Sequence, residues 1–229
     1  SLVALSYGMK AKLEAEGISP VEVVYNGVPA RPMRLPLSTP PTVAFAGRLV
    51  PEKGVDFLFR AFAPVVAQVP QARLLIAGQG SEEAALKILA SELGILENIS
   101  WLGHVRREEM ERHFDGAWVQ VVPSLWEEPF GNVTTEAMMR GTAVIASAVG
   151  AQPEIISEGK TGFLVAPNDV EALAAALLHL LLNKNLAEQM GQAGHQRAST
   201  YFSEDRRTEN FLAIYEELRA KYQYQLGWT

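Results

Sequence analysis

The 229-residue sequence contains no cysteine, so neither a disulfide framework nor a thiolate metal site is open to it, which is in keeping with a reducing cytosol. It lacks an excess of positive charge. Twenty basic against 26 acidic side chains leave a net charge of -6, which argues against nucleic acid as a partner and confines any positive site to a local one. Long apolar runs are missing too: Ala172 to Leu182 is broken by His179, and Ser1 to Lys12 lacks the basic-then-apolar order of a signal peptide. No transmembrane segment is therefore expected. The location predicted is cytoplasmic, with peripheral attachment to a membrane as the variant for a full-length enzyme. There is no Asp-x-Asp pair, and His104, His113, His179 and His195 show no ligand spacing, so no metal is expected. A nicotinamide-dependent oxidoreductase would need a Gly-x-Gly-x-x-Gly turn, yet Gly47 is followed by Arg48 and Leu49, and Gly78-Gln79-Gly80 by Ser81-Glu82-Glu83.

What is present is a repeat of short apolar runs and longer segments with helical spacing. Strands are predicted at Thr42 to Ala46, Arg73 to Ala77, Ile99 to Leu102, Trp118 to Val122, Ala143 to Ser147 and Gly162 to Val165. Helices are predicted between them at Val55 to Val69, Glu82 to Leu93, Glu108 to Phe114, Val133 to Met139 and Gln152 to Ile156. Strands that are apolar throughout, such as Leu74-Leu75-Ile76-Ala77, suit a parallel sheet covered on both faces. The fold class is α/β, a doubly wound, Rossmann-like parallel sheet. The ends depart from the repeat: Leu2 to Glu16 reads as a helix, Val21 to Tyr25 as a strand, and Pro29 to Pro41 as an extended linker. Asp169 to Leu182, Leu186 to Thr200 and Glu204 to Tyr222 read as extra C-terminal helices with no strand between them.

In an open parallel sheet, ligands bind beyond the carboxyl ends of the strands. The loop Gly47-Arg48-Leu49-Val50-Pro51-Glu52-Lys53-Gly54 sets two cations between a strand and a helix. Arg offers a planar fork and Lys a point charge, so together they can clamp a diphosphate; an ordinary solvated loop has the same composition. In Glu128-Pro-Phe-Gly-Asn-Val-Thr-Thr-Glu136, two carboxylates bracket seven residues, and Gly131 precedes a helix whose free N–H groups favour an anion. Carboxylates repel phosphate, so Glu128 and Glu136 are expected to reach past it to hydroxyl groups, one on a sugar and one on a ribose. Taken singly, each is equally an exposed helix charge. Trp126 and Phe130 read as packing residues. The turn Gly103-His104-Val105 is short, but its backbone groups can meet a base edge.

The ordered set of these motifs resembles the C-terminal, donor-binding domain of the family-four group of retaining glycosyltransferases with the two-lobed GT-B architecture. The resemblance rests on the Gly47–Gly54 loop, Glu128 to Glu136 with the Ala-Met-Met-Arg-Gly-Thr-Ala-Val-Ile-Ala-Ser that follows, Gly150-Ala-Gln-Pro-Glu154, and Gly159-Lys-Thr-Gly-Phe-Leu-Val, from about residue 40 to 200. It implies a metal-independent hexosyltransferase that uses a nucleoside-diphosphate sugar, with UDP-sugar favoured over GDP- or ADP-sugar, and no cofactor. Arg48 and Lys53 would hold the diphosphate and, with Glu128, form the catalytic set. Gly47, Phe130, Gly131, Asn132 and Val133 would line the donor site, Glu136 would take the ribose, Glu128 the transferred sugar, and His104 with Val105 the base. Residues 1–40 would be a remnant of the other lobe plus linker, 41–202 the nucleotide-sugar-binding domain, and 203–229 a helix crossing back. The acceptor, a glycan, lipid or small molecule, would then bind through the missing lobe, leaving this chain inactive alone. Two departures from the family pattern bear on sugar choice: Asn132 replaces a frequent aliphatic residue, and Ala151 a frequent glycine. A GT-B epimerase or phosphorylase and a non-catalytic nucleotide-sugar module are the alternatives.

Overall fold

The computed structural model describes residues 2–226. Six strands form one parallel sheet: β3 (Thr42–Ala46), β4 (Arg73–Ala77), β5 (Ile99–Gly103), β6 (Val119–Val122), β7 (Ala143–Ser147) and β8 (Gly162–Val165), in the order β5-β4-β3-β6-β7-β8. Numbering from the N-terminus, β1 (Leu2–Ala4) and β2 (Val21–Val23) make a separate parallel pair around helix α1 (Tyr7–Ala15). The strand at Leu2 to Ala4 corrects the reading of Leu2 to Glu16 as one helix. Ser6 is the true helix start, its hydroxyl accepting from the Met9 N–H at 3.2 Å, and Leu2–Ala4 pair with β2 instead. The β2 strand is also shorter than expected, ending at Val23.

The six-stranded sheet is doubly wound, as its apolar strands imply. Alternate residues serve opposite faces. Val43, Phe45, Leu74, Ile76, Val119, Val121 and Ile145 point into one large core with helices α2 (Val55–Gln68), α3 (Glu83–Glu92) and α7 (Val170–Leu181). Ala44 and Ala77 face the other side with Phe114 of α4 (Arg107–Phe114). Val122, Val144 and Ala146 face that same side with α5 (Asn132–Arg140), α6 (Gln152–Ile155) and α8 (Lys184–Tyr201). α2 carries the apolar stripe Phe57, Leu58, Ala61, Phe62 and Val65 that fits it to its face. α7 and α8 begin at Asp169 and Asn183, whose side chains accept the N–H groups of Ala172 and Leu186 at 2.9 and 3.1 Å.

The last helix, α9 (Glu204–Leu226), leaves the sheet and runs beside β2; residues 1 and 227–229 of the expected end segments lie outside the described residues. Where it starts, it is tied to the N-terminal part: the Val28 N–H donates to the Phe202 carbonyl at 2.8 Å and the Glu204 N–H to the Val28 carbonyl at 3.1 Å. Among the described residues, no single helix is long and apolar enough to cross a membrane.

Candidate functional site

β3 and β6 are neighbours in the sheet, yet the helices that follow them, α2 and α5, cover opposite faces. The loops after these strands therefore part and leave a crevice at the carboxyl edge. The loop after β3 is held open by its backbone. The Gly47 N–H donates to the Ala77 carbonyl at 3.0 Å, the Leu49 N–H to Gln79 at 2.9 Å, and the Glu52 carbonyl accepts from the Leu125 N–H at 2.8 Å. Gly54 sits at φ 63°, and a Cβ there would lie 2.2 Å from the Pro123 carbonyl oxygen, so no side chain fits between the two loops.

Two hollows meet in this crevice. One, of about 390 Å3, is bounded by Arg48, Lys53, Trp126, Glu128 and the segment Phe130 to Val133, with Leu5 and Asn26 from the N-terminal part. The other, of about 270 Å3, is bounded by Gly47, Arg48, Gln79, His104, Val105, Met110 and Val133. Arg48 and Val133 border both. The structure thus brings the two cations to one side of the sheet and sets His104 and Val105 at the far end of the same track. A third hollow, of about 280 Å3, lies on the other side of Glu128, against α1.

Lys53 and Glu128 touch. The Lys53 ammonium donates to Glu128 Oε1 at 2.5 Å, and the Ser124 hydroxyl donates to the same oxygen at 2.6 Å. The sequence implies that Glu128 reaches past the diphosphate to a hydroxyl; in the structure Lys53 and Ser124 already contact its Oε1. Arg48 is exposed, and among the described residues no carboxylate pairs with it. At Gly131 the backbone takes φ 141°, and a Cβ would come 2.7 Å from Gln152 Nε2. The turn brings α5 in with its N-terminus at the crevice, where the N–H groups of Asn132 and Val133 have no intrahelical acceptor. This end is suited to an anion.

Two aromatic side chains diverge. Phe130 is buried, with its ring 5.8 Å from Tyr25 and 5.9 Å from Phe202, so only its backbone is available to the crevice. Trp126, expected to pack, is 51% exposed at the crevice mouth. It follows a loop anchored by Leu125 and precedes the exposed Glu127, which Lys12 of α1 contacts. Behind Phe130, the Glu154 carboxylate accepts the Tyr7 and Gly8 N–H groups of α1 at 2.9 and 2.8 Å and the Tyr25 hydroxyl at 3.2 Å. Burial first, and then Glu154, push the Tyr25 hydroxyl up to about 12.

Glu136 lies one helical turn into α5; it lines neither hollow, and its carboxylate forms an ion pair with Arg107 of α4 at 3.0 Å. Below it is a charged cluster that the sequence did not disclose. Arg140, at the end of α5, is almost wholly buried; its Nε donates to Glu111 at 2.9 Å and its Nη1 to Gln120 of β6 at 3.1 Å. Arg31, from the segment before β3, also binds Glu111, and donates to the Glu136 carbonyl at 3.0 Å. Burial lowers both guanidiniums, Arg140 and Arg31, to about 10 each, and both remain charged at neutral pH. Their spacing carries no local signal, since each partner comes from a distant element. Asn26 was likewise missed; its amide donates to the Asn132 side chain at 3.2 Å. Among the described residues, no group of three or more histidine or carboxylate side chains is placed to hold a metal ion.

Residues 33–197 match the family model described as Glycosyl transferases group 1. The chain is 38% identical to D-inositol 3-phosphate glycosyltransferase of Mycobacterium ulcerans over 180 residues, covering 76% of this chain and 38% of that protein. Among solved structures, sucrose-phosphate synthase from Thermosynechococcus elongatus superposes with a TM-score of 0.83 at 29% identity, covering 96% of this chain and 58% of that one. Anabaena HepE, solved in complex with UDP and glucose, gives a TM-score of 0.84 at 22% identity over 94% and 63% of the two chains, a likeness of fold. The chain spans about two fifths of the length of its mycobacterial relative.

Proposed function

This chain belongs to the Glycosyl transferases group 1 family, and from that premise we propose that it is the donor-binding part of a retaining glycosyltransferase that uses a nucleoside-diphosphate sugar. One observation carries the proposal: a single crevice has a carboxylate at one end, a cation and a helix N-terminus in the middle, and a backbone turn at the other. Sugar, diphosphate and nucleoside present complementary chemistry in that same order. HepE, of the same fold, binds UDP and glucose, which adds support and favours a uridine donor.

In this reading, Arg48, Lys53 and the N–H groups of Asn132 and Val133 meet the diphosphate. The bond between the anomeric carbon and the diphosphate oxygen breaks with its electron pair on the leaving group. These fixed positive groups stabilise the developing charge in a site that needs no reorganisation. The acceptor hydroxyl oxygen forms the new bond to the anomeric carbon, and its proton passes to the leaving diphosphate oxygen. Lys53, already against Glu128, stands between that carboxylate and the phosphate oxygens, so the two anions are screened from one another. Glu128 then accepts sugar hydroxyls, its orientation set by Ser124. The neutralising charge comes from the chain itself, so the transfer is assigned no metal and no cofactor. The cysteine-free composition accords with a cytoplasmic setting. The acceptor is assigned mainly to a second lobe, and the isolated chain is expected to transfer little.

Calorimetric titration with uridine, guanosine and adenosine diphosphate sugars tests the reading. Arg48→Ala and Lys53→Ala should each weaken donor binding by about 1.5–3 kcal/mol, the range for hydrogen bonds to charged groups. Unchanged affinity in both variants would remove the proposed diphosphate contacts, and equal turnover with and without a second lobe would remove the two-lobe assignment.

A further inference from the structure

Helix α4 is mostly polar; Phe114 packs it under the sheet, and charge fixes its remaining face. Glu111 lies between Arg31 and Arg140, and Arg140 is itself anchored by Gln120 at 3.1 Å and by the face of Phe114 at 5.5 Å. Gln120 in turn donates to the Val133 carbonyl at 3.2 Å. Glu111 therefore cannot shift without uncoupling a buried guanidinium, which makes it a fixed point for α4. Arg107 is four residues earlier on the same helix, and residues so spaced share a face. Its Nη2 forms an ion pair with Glu136 Oε1 at 3.0 Å; the arginine side chain is 47% exposed and the glutamate side chain 13%.

An ion pair with one partner half in water adds little to stability. What it does here is restrict a flexible carboxylate one turn along α5 from Val133, which borders both hollows: Oε1 is held by the ion pair with Arg107, and lone pairs remain to accept hydroxyl hydrogens. Resting on the donor reading above, we propose that Arg107 is a positioning residue that sets Glu136 to recognise ribose and reject deoxyribose. The chain from Gln120 through Arg140 and Glu111 to α4 fixes where Arg107 stands. A site built to bond a hydroxyl discriminates against the ligand that lacks it, because its acceptor is then left unpaired.

The test is calorimetry on the full chain with uridine, guanosine and adenosine diphosphates and their 2′-deoxy and 3′-deoxy counterparts. The unaltered chain should prefer at least one ribonucleotide over a deoxy counterpart by roughly tenfold, the ratio for one hydrogen bond to a charged acceptor. Arg107→Ala should reduce that preference to within about twofold and leave affinity for the deoxy ligand nearly unchanged, and Arg107→Lys should restore part of it. A preference that survives Arg107→Ala overturns the proposal, as does tighter ribonucleotide binding, which would make Arg107 a competitor for Glu136. Absence of binding by the unaltered chain to any of the diphosphates would instead remove the donor reading on which the proposal rests.

Discussion

The two ends of helix α5 handle charge in opposite ways. At its C-terminal end, Arg140 is buried, favourably placed against the helix dipole, and paired with Glu111 and Gln120. At its N-terminal end, the free N–H groups, Arg48 and Lys53 face an open crevice, and among the described residues only Lys53 of the two cations has a carboxylate partner. Desolvation makes the difference. A buried charge that loses its partner cannot turn to water, so the first end is locked. Arg48 is exposed, and Lys53, though partly buried, borders the open crevice, so the second end can turn its charges to water or to a ligand.

Four substitutions break or sharpen that contrast, in order of expected effect on stability. Arg140→Ala leaves Glu111 and Gln120 without their buried partner and should cost about 3–5 kcal/mol in denaturant unfolding; a loss below about 1 kcal/mol would show that the end is not locked. Gly131→Ala places a Cβ against Gln152 at a φ of 141° and should cost about 1–3 kcal/mol, together with donor affinity, because the turn aims the free N–H groups. Lys53→Ala should change stability by only about 1 kcal/mol or less while weakening donor binding, and a larger loss of stability would place Lys53 with Arg140 in kind.

The smallest effect is confined to alkaline pH. The folded protein holds the Tyr25 hydroxyl at about 12, above its ordinary 10.0. The stability it contributes is therefore complete below pH 10 and is lost as pH rises through about 12. Tyr25→Phe should flatten this limb of the stability profile, and parallel limbs in the two proteins would show that the hydroxyl is not coupled to folding.

What the sequence disclosed follows the same division. The six strands of the main sheet were legible because residues such as Val43 to Ala46 are apolar on both faces, and a doubly covered sheet has no other pattern. The strand at Leu2 to Ala4 was not, since three residues cannot declare a partner that lies at Val21 to Val23. The residues of the loops after β3 and β6 that border the crevice were legible because local spacing and a family pattern singled them out. Arg107 and Arg31 were not. Their meaning depends on Glu136 and Glu111, which folding alone brings near, and a charged helix such as α4 reads as a solvated surface until its neighbours are known.

The crevice exists because the chain laid β6 next to β3 after first building outward to β5 and then reversing. No individual side chain creates it. An exchange of the segments after β3, β5 and β6 for those of another chain would leave the hydrogen-bond ladders between these strands intact. The scaffold would thereby acquire new tastes in cargo while keeping its architecture, which makes those three segments natural sites for engineering.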